Sequence, residues 1–297
     1  AGTLPLFLRN FIADDGYDLD IRVALPLHRD TKMEADRIDQ LITVYVPRNG
    51  EHKPVKIGLY PHKDLPIYFF ESDLITKAPT VYAQDQALDR DKYAIFCLAC
   101  LEFIRQQDWK PDIVHANDWH TALILHALRT QMNEANSNMH TLLTLHNLPY
   151  MGGEGSDVLA AYHLEPSQDE RLPAWARTQP LPMGLAAADF IIPVSPQYGK
   201  EILTSAFGCG LENYLQTRIV DIFGILNGLD ESSFNPGIDE RLNEKFDIAN
   251  LGKRICNKRA LQKQLDLPEK DTSILIGMVG RINLQKGIDI ALGYVEK

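Results

Sequence analysis

The chain is short of cysteine, of positive charge and of long apolar runs, and each shortage removes a class of protein. Four cysteines in 297 residues are too few for a disulfide scaffold. The one close pair, Cys97 and Cys100, lies in an apolar stretch at 93–104, so these two, with Cys209 and Cys256, are expected to be reduced core thiols rather than redox or metal groups. Lysine and arginine total 30 against 40 acidic residues, a formal charge of −10, and no cationic cluster offsets it locally. Such a surface repels nucleic acid and anionic bilayers and leaves room only for a small anion in a local basic pocket. No stretch approaches the roughly 20 uninterrupted apolar residues that span a bilayer. Solenoid-length repeats and low-complexity tracts are absent too.

What remains is ordinary globular material, 45% hydrophobic and 24% charged, sufficient for one large domain or two medium ones. Short β-rich runs alternate with segments of helical period, the pattern of a parallel sheet covered on both faces. Residues 4–11 read as a helix and 20–26 as a strand that ends at Pro26. Runs at 41–46, 55–60 and 65–70, separated by Pro, Gly or Asn turns, predict an antiparallel excursion. Between 89 and 107, Tyr93, Phe96, Cys97, Cys100, Leu101 and Ile104 recur at helical spacing, which predicts a helix with a buried face. Apolar runs at 112–115, 141–146 and 190–194 have the character of central strands. A further strand is expected at 222–226, a helix at 251–265 and a strand at 274–279. The corresponding domains are 1–230, a linker and helix at 231–270, and the start of a second domain at 271–297.

Ligands of open α/β sheets sit beyond the carboxyl ends of the strands. Three such ends are polar here: His115 through Asp118, His120 and Thr121; His146 through Tyr150; and Ser195 through Tyr198. They are expected to converge on one rim. Asn227-Gly228 closes the later apolar run, and Arg281 and Lys286 follow the last one, between Gly280 and Gly287. Two cations five positions apart in a strand-to-helix loop can hold a diphosphate, the guanidinium forking two oxygens and the ammonium adding a point charge. Each position also has a structural alternative. His146 could be a hydrogen-bonded core residue, Asp118 an N-cap for a helix starting at Trp119, Asn227-Gly228 a plain turn, and Arg281 with Lys286 a solvated pair. His115 and His120 are not at a usual zinc-ligand spacing and no thiolate or carboxylate cluster completes them. Ser195 lacks the Gly-x-Ser-x-Gly elbow of a nucleophile, so a structural or backbone-binding role is expected.

Five stretches in order resemble one family, the bacterial glycogen synthases and plant starch synthases. They are Asp112-Ile113-Val114-His115-Ala116-Asn117-Asp118-Trp119-His120-Thr121, Thr144-Leu145-His146-Asn147-Leu148-Pro149-Tyr150-Met151-Gly152, Phe207-Gly208-Cys209-Gly210-Leu211, Gly224-Ile225-Leu226-Asn227-Gly228-Leu229-Asp230, and Gly280-Arg281-Ile282-Asn283-Leu284-Gln285-Lys286-Gly287. The resemblance implies an α/β fold: the Rossmann-like three-layer α/β/α N-terminal domain of a GT-B glycosyltransferase, with linker and first βα unit of the second domain. It implies transfer of glucose from ADP-glucose to the nonreducing end of an α-1,4-glucan with retention, although UDP-glucose fits the sequence equally. His146, Asp118 and Asn227 would grip the transferred glucose. Arg281 and Lys286 would take the diphosphate, and His115, His120, Tyr150 and Ser195 would line the glucan cleft. No cofactor and no metal are implied. The partners are the glucan and the nucleotide-sugar, with neither nucleic acid nor membrane, and the location is the bacterial cytoplasm or, alternatively, a plastid.

The chain departs from the family's pattern in three ways. Asn117 stands where the family usually has histidine. The Lys-x-Gly-Gly-Leu loop would precede Ala1, and most of the nucleotide-binding domain would follow Lys297, so the segment alone is expected to fold without turning over. A related glycosyltransferase with another donor or acceptor, or a noncatalytic glucan-binding module, are the alternatives.

Overall fold

In the computed structural model, which describes residues 4–5, 7–8, 19–31, 38–62, 65–78, 81–83, 85–131, 138–231, 233–280, 282 and 286–295, the alternation resolves into two sheets. The first holds β1 (Val23–Pro26), β2 (Asp39–Arg48), β3 (Glu51–His62) and β4 (Leu65–Glu71) in the order β1-β4-β3-β2. β1 runs parallel to β4, while β2, β3 and β4 form the expected antiparallel excursion. Asn49 and Gly50 turn β2 into β3 with φ of 52° and 78°, the left-handed pair that a two-residue hairpin needs and that Asn-Gly supplies at least cost. A single-turn helix, α1 (Asp73–Thr76), follows β4, and then the long helix α2 (Gln86–Gln106). Asp85 caps α2 by accepting from the Ala87 amide at 2.9 Å. The sheet buries Val44, Val46, Val55, Ile57 and Phe70. Phe70 meets Phe96 and Phe103 of α2 edge-on at 5.3 and 5.9 Å between centroids, a favoured aromatic geometry.

The second sheet is wholly parallel, with β5 (Ile113–Asn117), β6 (His140–Leu145) and β7 (Phe190–Pro193) in that order. β5 leads directly into α3 (Asp118–Gln131), a helix buried continuously from Ala122 to Leu128. The shorter helices α4 (Ser156–Ala161), α5 (Pro180–Ala187), α6 (Pro196–Glu201) and α7 (Glu212–Thr217) follow. α5 lies close against α3 because Gly184 has no side chain. A Cβ there would stand 2.5 Å from the Ala122 Cβ and 2.9 Å from its carbonyl oxygen, and the helix backbone cannot yield as a flexible side chain would. Gly184→Ala is therefore expected to destabilise the fold by about 1–3 kcal/mol despite its better helix propensity, measured as a fall in denaturant midpoint. A midpoint at or above that of the parent would show that the helices separate freely.

The chain divides into two compact units, 1–228 and 229–297. In the second, a capping box at Asp247, whose carboxylate accepts from the Ala249 and Asn250 amides, starts a 3-10 turn (Ile248–Lys253) that runs into α8 (Arg254–Gln264). α9 (Ile288–Val295) closes the unit.

Several expectations need correction or restriction. The run at 222–226 is not a regular strand, although Ile222 bridges Ile191 and the Phe223 and Ile225 amides donate to Ile191 and Pro193 of β7, both at 2.9 Å. The run at 274–279 forms no strand either. Ile274, Ile276, Met278 and Val279 are exposed, and among the described residues of this unit no other strand is present to pair with them. Of the expected helix at 4–11, positions 4, 5, 7 and 8 are helical and the rest lies outside the described residues. Cys97 and Cys100 are buried core thiols, burial pushing Cys97 up to about 12 and Cys100 in the same direction. Cys209 is exposed and Cys256 half-buried, so the core expectation fails for these two, and all four are free. Among the described residues no helix is long and apolar enough to cross a membrane.

Candidate functional site

Parallel register places the exits of β5, β6 and β7 side by side. Asn117 pairs with Thr144, and Leu145 with Pro193, so Asp118, His146 and Ser195 all leave the sheet from one edge. Asp118 does so in the left-handed region, φ 53°, which Asp tolerates better than most residues. Its carboxylate does not cap α3. Oδ1 accepts instead from the His146 amide at 2.8 Å and from the Asn147 amide at 3.3 Å, and no donor from the described residues reaches Oδ2. The start of α3 is tied by Thr121, whose hydroxyl accepts from the Asn117 amide at 2.6 Å and donates to the Asn117 carbonyl at 2.9 Å. Burial raises the pKa of Asp118, and the His146 and Asn147 amides together with the nearby imidazole pull against that rise.

His146 is half-buried, its Nε2 lying 3.4 Å from Asn117 Oδ1. Asn117, standing where the resemblance expects histidine, thus gives the His146 ring a polar neighbour. His115 is exposed as a residue, yet its Nε2 is 2.6 Å from the hydroxyl of buried Thr144. Desolvation of the ring, followed by the nearness of His146, lowers its pKa. Tyr150 is exposed on the turn closed by its own amide on the Asn147 carbonyl at 3.2 Å. On the β7 side, the Ser195 hydroxyl is taken up as the N-cap of α6, accepting from the Tyr198 amide at 2.9 Å. The Tyr198 hydroxyl in turn accepts from the Leu148 amide at 2.8 Å. Gly224 lets the chain that carries Asn227 pass against this corner, since a Cβ there would lie 2.5 Å from the Ser195 carbonyl oxygen. Asn227 itself is exposed.

The site thus brings together His115, Asp118, His146 and Tyr150 with Asn117, Thr144 and Tyr198. It does not bring His120. That ring packs edge-on against Tyr93 at 4.7 Å and Tyr82 at 5.5 Å and lies 4.3 Å from Trp119, and its Nε2 is buried with no partner among the described residues. Beneath it, Lys92 and Asp89 form a buried ion pair, and Lys92 Nζ donates to the Val81 carbonyl at 2.8 Å. Of the diphosphate pair, Lys286 is exposed in the turn before α9, and Arg281 lies outside the described residues. Thr121 and Tyr198 lie in the polar strand-end stretches and Thr144 just before one, but no sequence signal gives them partners; Ser195-Pro196, a pattern that suits a helix start, is the one local signal.

Burial makes His120 a pH-sensitive element of stability. Its pKa is lowered to about 4, burial being the largest cause, from an ordinary 6.5. The unfolded chain therefore binds a proton that the folded chain refuses. The stabilisation is whole above pH 6.5 and is lost as pH falls towards 4, to a total of about 3 kcal/mol. Denaturant titrations at pH 7 and pH 4.5 are expected to show a loss that His120→Phe, which keeps the aromatic packing and removes the titration, reduces. An equal loss in both proteins would place the acid sensitivity elsewhere, His28 being next because burial lowers it too.

A cavity of about 750 Å³ opens elsewhere, where β6 and β7 begin, and is lined by Arg129, His140, Arg171, Asp189 and Arg218 among others. Its guanidinium groups are already paired, Arg129 with Asp189, Arg171 with Asp169 and Arg218 with Asp221. Volume alone therefore does not outweigh the convergence of strand ends.

The arrangement of the rim is that of a Rossmann-like α/β domain, and comparison with known proteins agrees. The starch synthase catalytic domain family matches residues 10–217. The glycogen synthase of Clostridium novyi (strain NT) is 34% identical over 285 residues, covering 94% of this chain and 59% of that protein. The glycogen synthase of Thermotoga petrophila is 32% identical over 308 residues, covering 100% of this chain and 62% of that protein. Among solved structures, the catalytic domain of starch synthase IV from Arabidopsis thaliana bound to ADP and acarbose is similar with a TM-score of 0.82 and 26% identity, over 97% of this chain and 60% of that one. The chain belongs to the starch synthase catalytic domain family and has the GT-B type of α/β fold. It spans about 60% of the length of these relatives.

Proposed function

We propose that the protein is a glucosyltransferase of the glycogen and starch synthase type, which moves glucose from ADP-glucose to the nonreducing end of an α-1,4-glucan with retention of configuration. The observation that carries this is the loop beginning at His146, held by Asp118 and Tyr198 at the point where three parallel strands end. Family membership and the ADP and acarbose of the Arabidopsis neighbour support the choice of donor and acceptor. His146, Asn227 and the unengaged Oδ2 of Asp118 grip the glucose, and Tyr150 and His115 face the glucan. Arg281 and Lys286 neutralise the departing diphosphate, the work a metal does elsewhere, so transfer proceeds without a metal or other cofactor. The bacterial cytoplasm, where both substrates are soluble, is the location this reaction implies.

The test supplies labelled ADP-glucose and a glycogen primer to the longest form of the protein that the reading frame encodes, with EDTA present and UDP-glucose as the comparison donor. Label in α-1,4-linked glucose is expected, more from ADP-glucose. Glucan binding with no transfer from either donor would replace the enzyme by a glucan-binding module, and a β-linked product would exclude retention.

A further inference from the structure

The three consecutive amides of the loop that presents His146 are all bound by side-chain oxygens from other strand exits. Asp118, from β5, takes the His146 and Asn147 amides, and Tyr198, from beyond β7, takes the Leu148 amide at 2.8 Å. Pro149 has no N–H, and the Tyr150 amide closes back on the Asn147 carbonyl. Every backbone N–H from 146 to 150 is thereby accounted for, and the loop is fixed from both sides before any ligand arrives. Leu148 is fully buried, so its amide has no water to turn to if the phenol is removed, and an unpaired buried amide forces the backbone to move. The phenol is placed with equal care. Ser195 caps α6 on the Tyr198 amide, Pro196 sets the first turn, and the Tyr198 ring packs on the core.

We propose that Tyr198 is a positioning residue: by holding the Leu148 amide it fixes, from the β7 side, the loop on which His146 stands, and so governs chemistry at a ring that it does not itself touch. Reaction geometry is sensitive to such anchors, since a misplacement of about 1 Å can cost on the order of 10²-fold in rate. The kinetic consequence rests on the glucosyl transfer proposed above, whereas the structural one does not, and the two are tested separately.

In this chain, Tyr198→Phe keeps the ring and its packing. Amide exchange at Leu148 and its neighbours is expected to quicken by about 10-fold or more, with α2 and α3 unchanged. Unchanged exchange at Leu148, or a uniform rise across α2 and α3, overturns the proposal. Should this variant not fold, Ser195→Ala frays α6 while keeping the phenol, and a smaller but equally local rise is expected, its absence counting against the proposal. In the longest form that the reading frame encodes, Tyr198→Phe is expected to lower kcat by about 10-fold with KM for donor and glucan within about 2-fold. A change in KM alone overturns the kinetic half. If the parent protein transfers no glucose, the proposed activity fails and the exchange measurement still decides the role of Tyr198.

Discussion

Replacing Arg281 or Lys286 by alanine is expected to cut kcat/KM for the nucleotide-sugar by roughly 10² to 10³, the range for removal of one electrostatic stabiliser of a transition state. Charge accumulates on the diphosphate as the glycosidic bond breaks, so a cation at that position binds the transition state more tightly than the ground state. Lys286 is exposed in the turn before α9 and contributes little to packing. Its loss should leave the melting temperature nearly unchanged, which separates a donor defect from a folding defect. Activity is expected to survive EDTA if, as proposed, the two cations do the neutralising. Loss on chelation, restored by magnesium or manganese, would end the metal-free mechanism while leaving glucosyl transfer itself in place.

Much of the frame of this site was legible from local pattern. The Asn49-Gly50 hairpin, the apolar runs that became β5, β6 and β7, and the helical spacing of Tyr93 to Ile104 all declared themselves within windows of a few residues. What was not legible is long-range. Asp118 has the composition and place of an N-cap, yet it bonds amides 28 and 29 residues away; only the pairing of β5 with β6 brings them within reach. His120 sits in a motif beside rim residues and still turns into an aromatic cluster made by α2 and the segment at 81–83. Its helical phase, one residue past Trp119, takes it inward. The runs at 222–226 and 274–279 show the reverse failure. Both have strand composition, but strand formation is settled by what lies alongside: among the described residues the first meets β7 through a single bridge, Ile222 to Ile191, and the second has no neighbouring strand in its unit. Cys209 and Cys256 fail as core residues for a similar reason, because few cysteines in a chain does not place each one inside.

His146→Ala is expected to lower kcat by about 10² or more with little change in KM for the donor. The structure makes this substitution unusually clean. The position of the loop depends on backbone amides held by Asp118 and Tyr198, so truncating the imidazole removes the ring and leaves its platform standing. Among the described residues the ring's one neighbour by hydrogen-bond distance is Asn117 Oδ1 at 3.4 Å, a long contact whose loss costs little stability. Such a ring is available to a sugar hydroxyl or to the positive charge that develops as the glucosyl bond loosens. A group that acts on developing charge appears in kcat, whereas one that merely holds the ground state appears in KM. A parallel Asn117→His change, installing the histidine that the resemblance expects, offers an imidazole at a neighbouring position and should not rescue the alanine variant if the position of the ring is what matters. An alanine enzyme with unchanged kcat would make His146 a structural residue and move the catalytic role to Asp118 and Asn227.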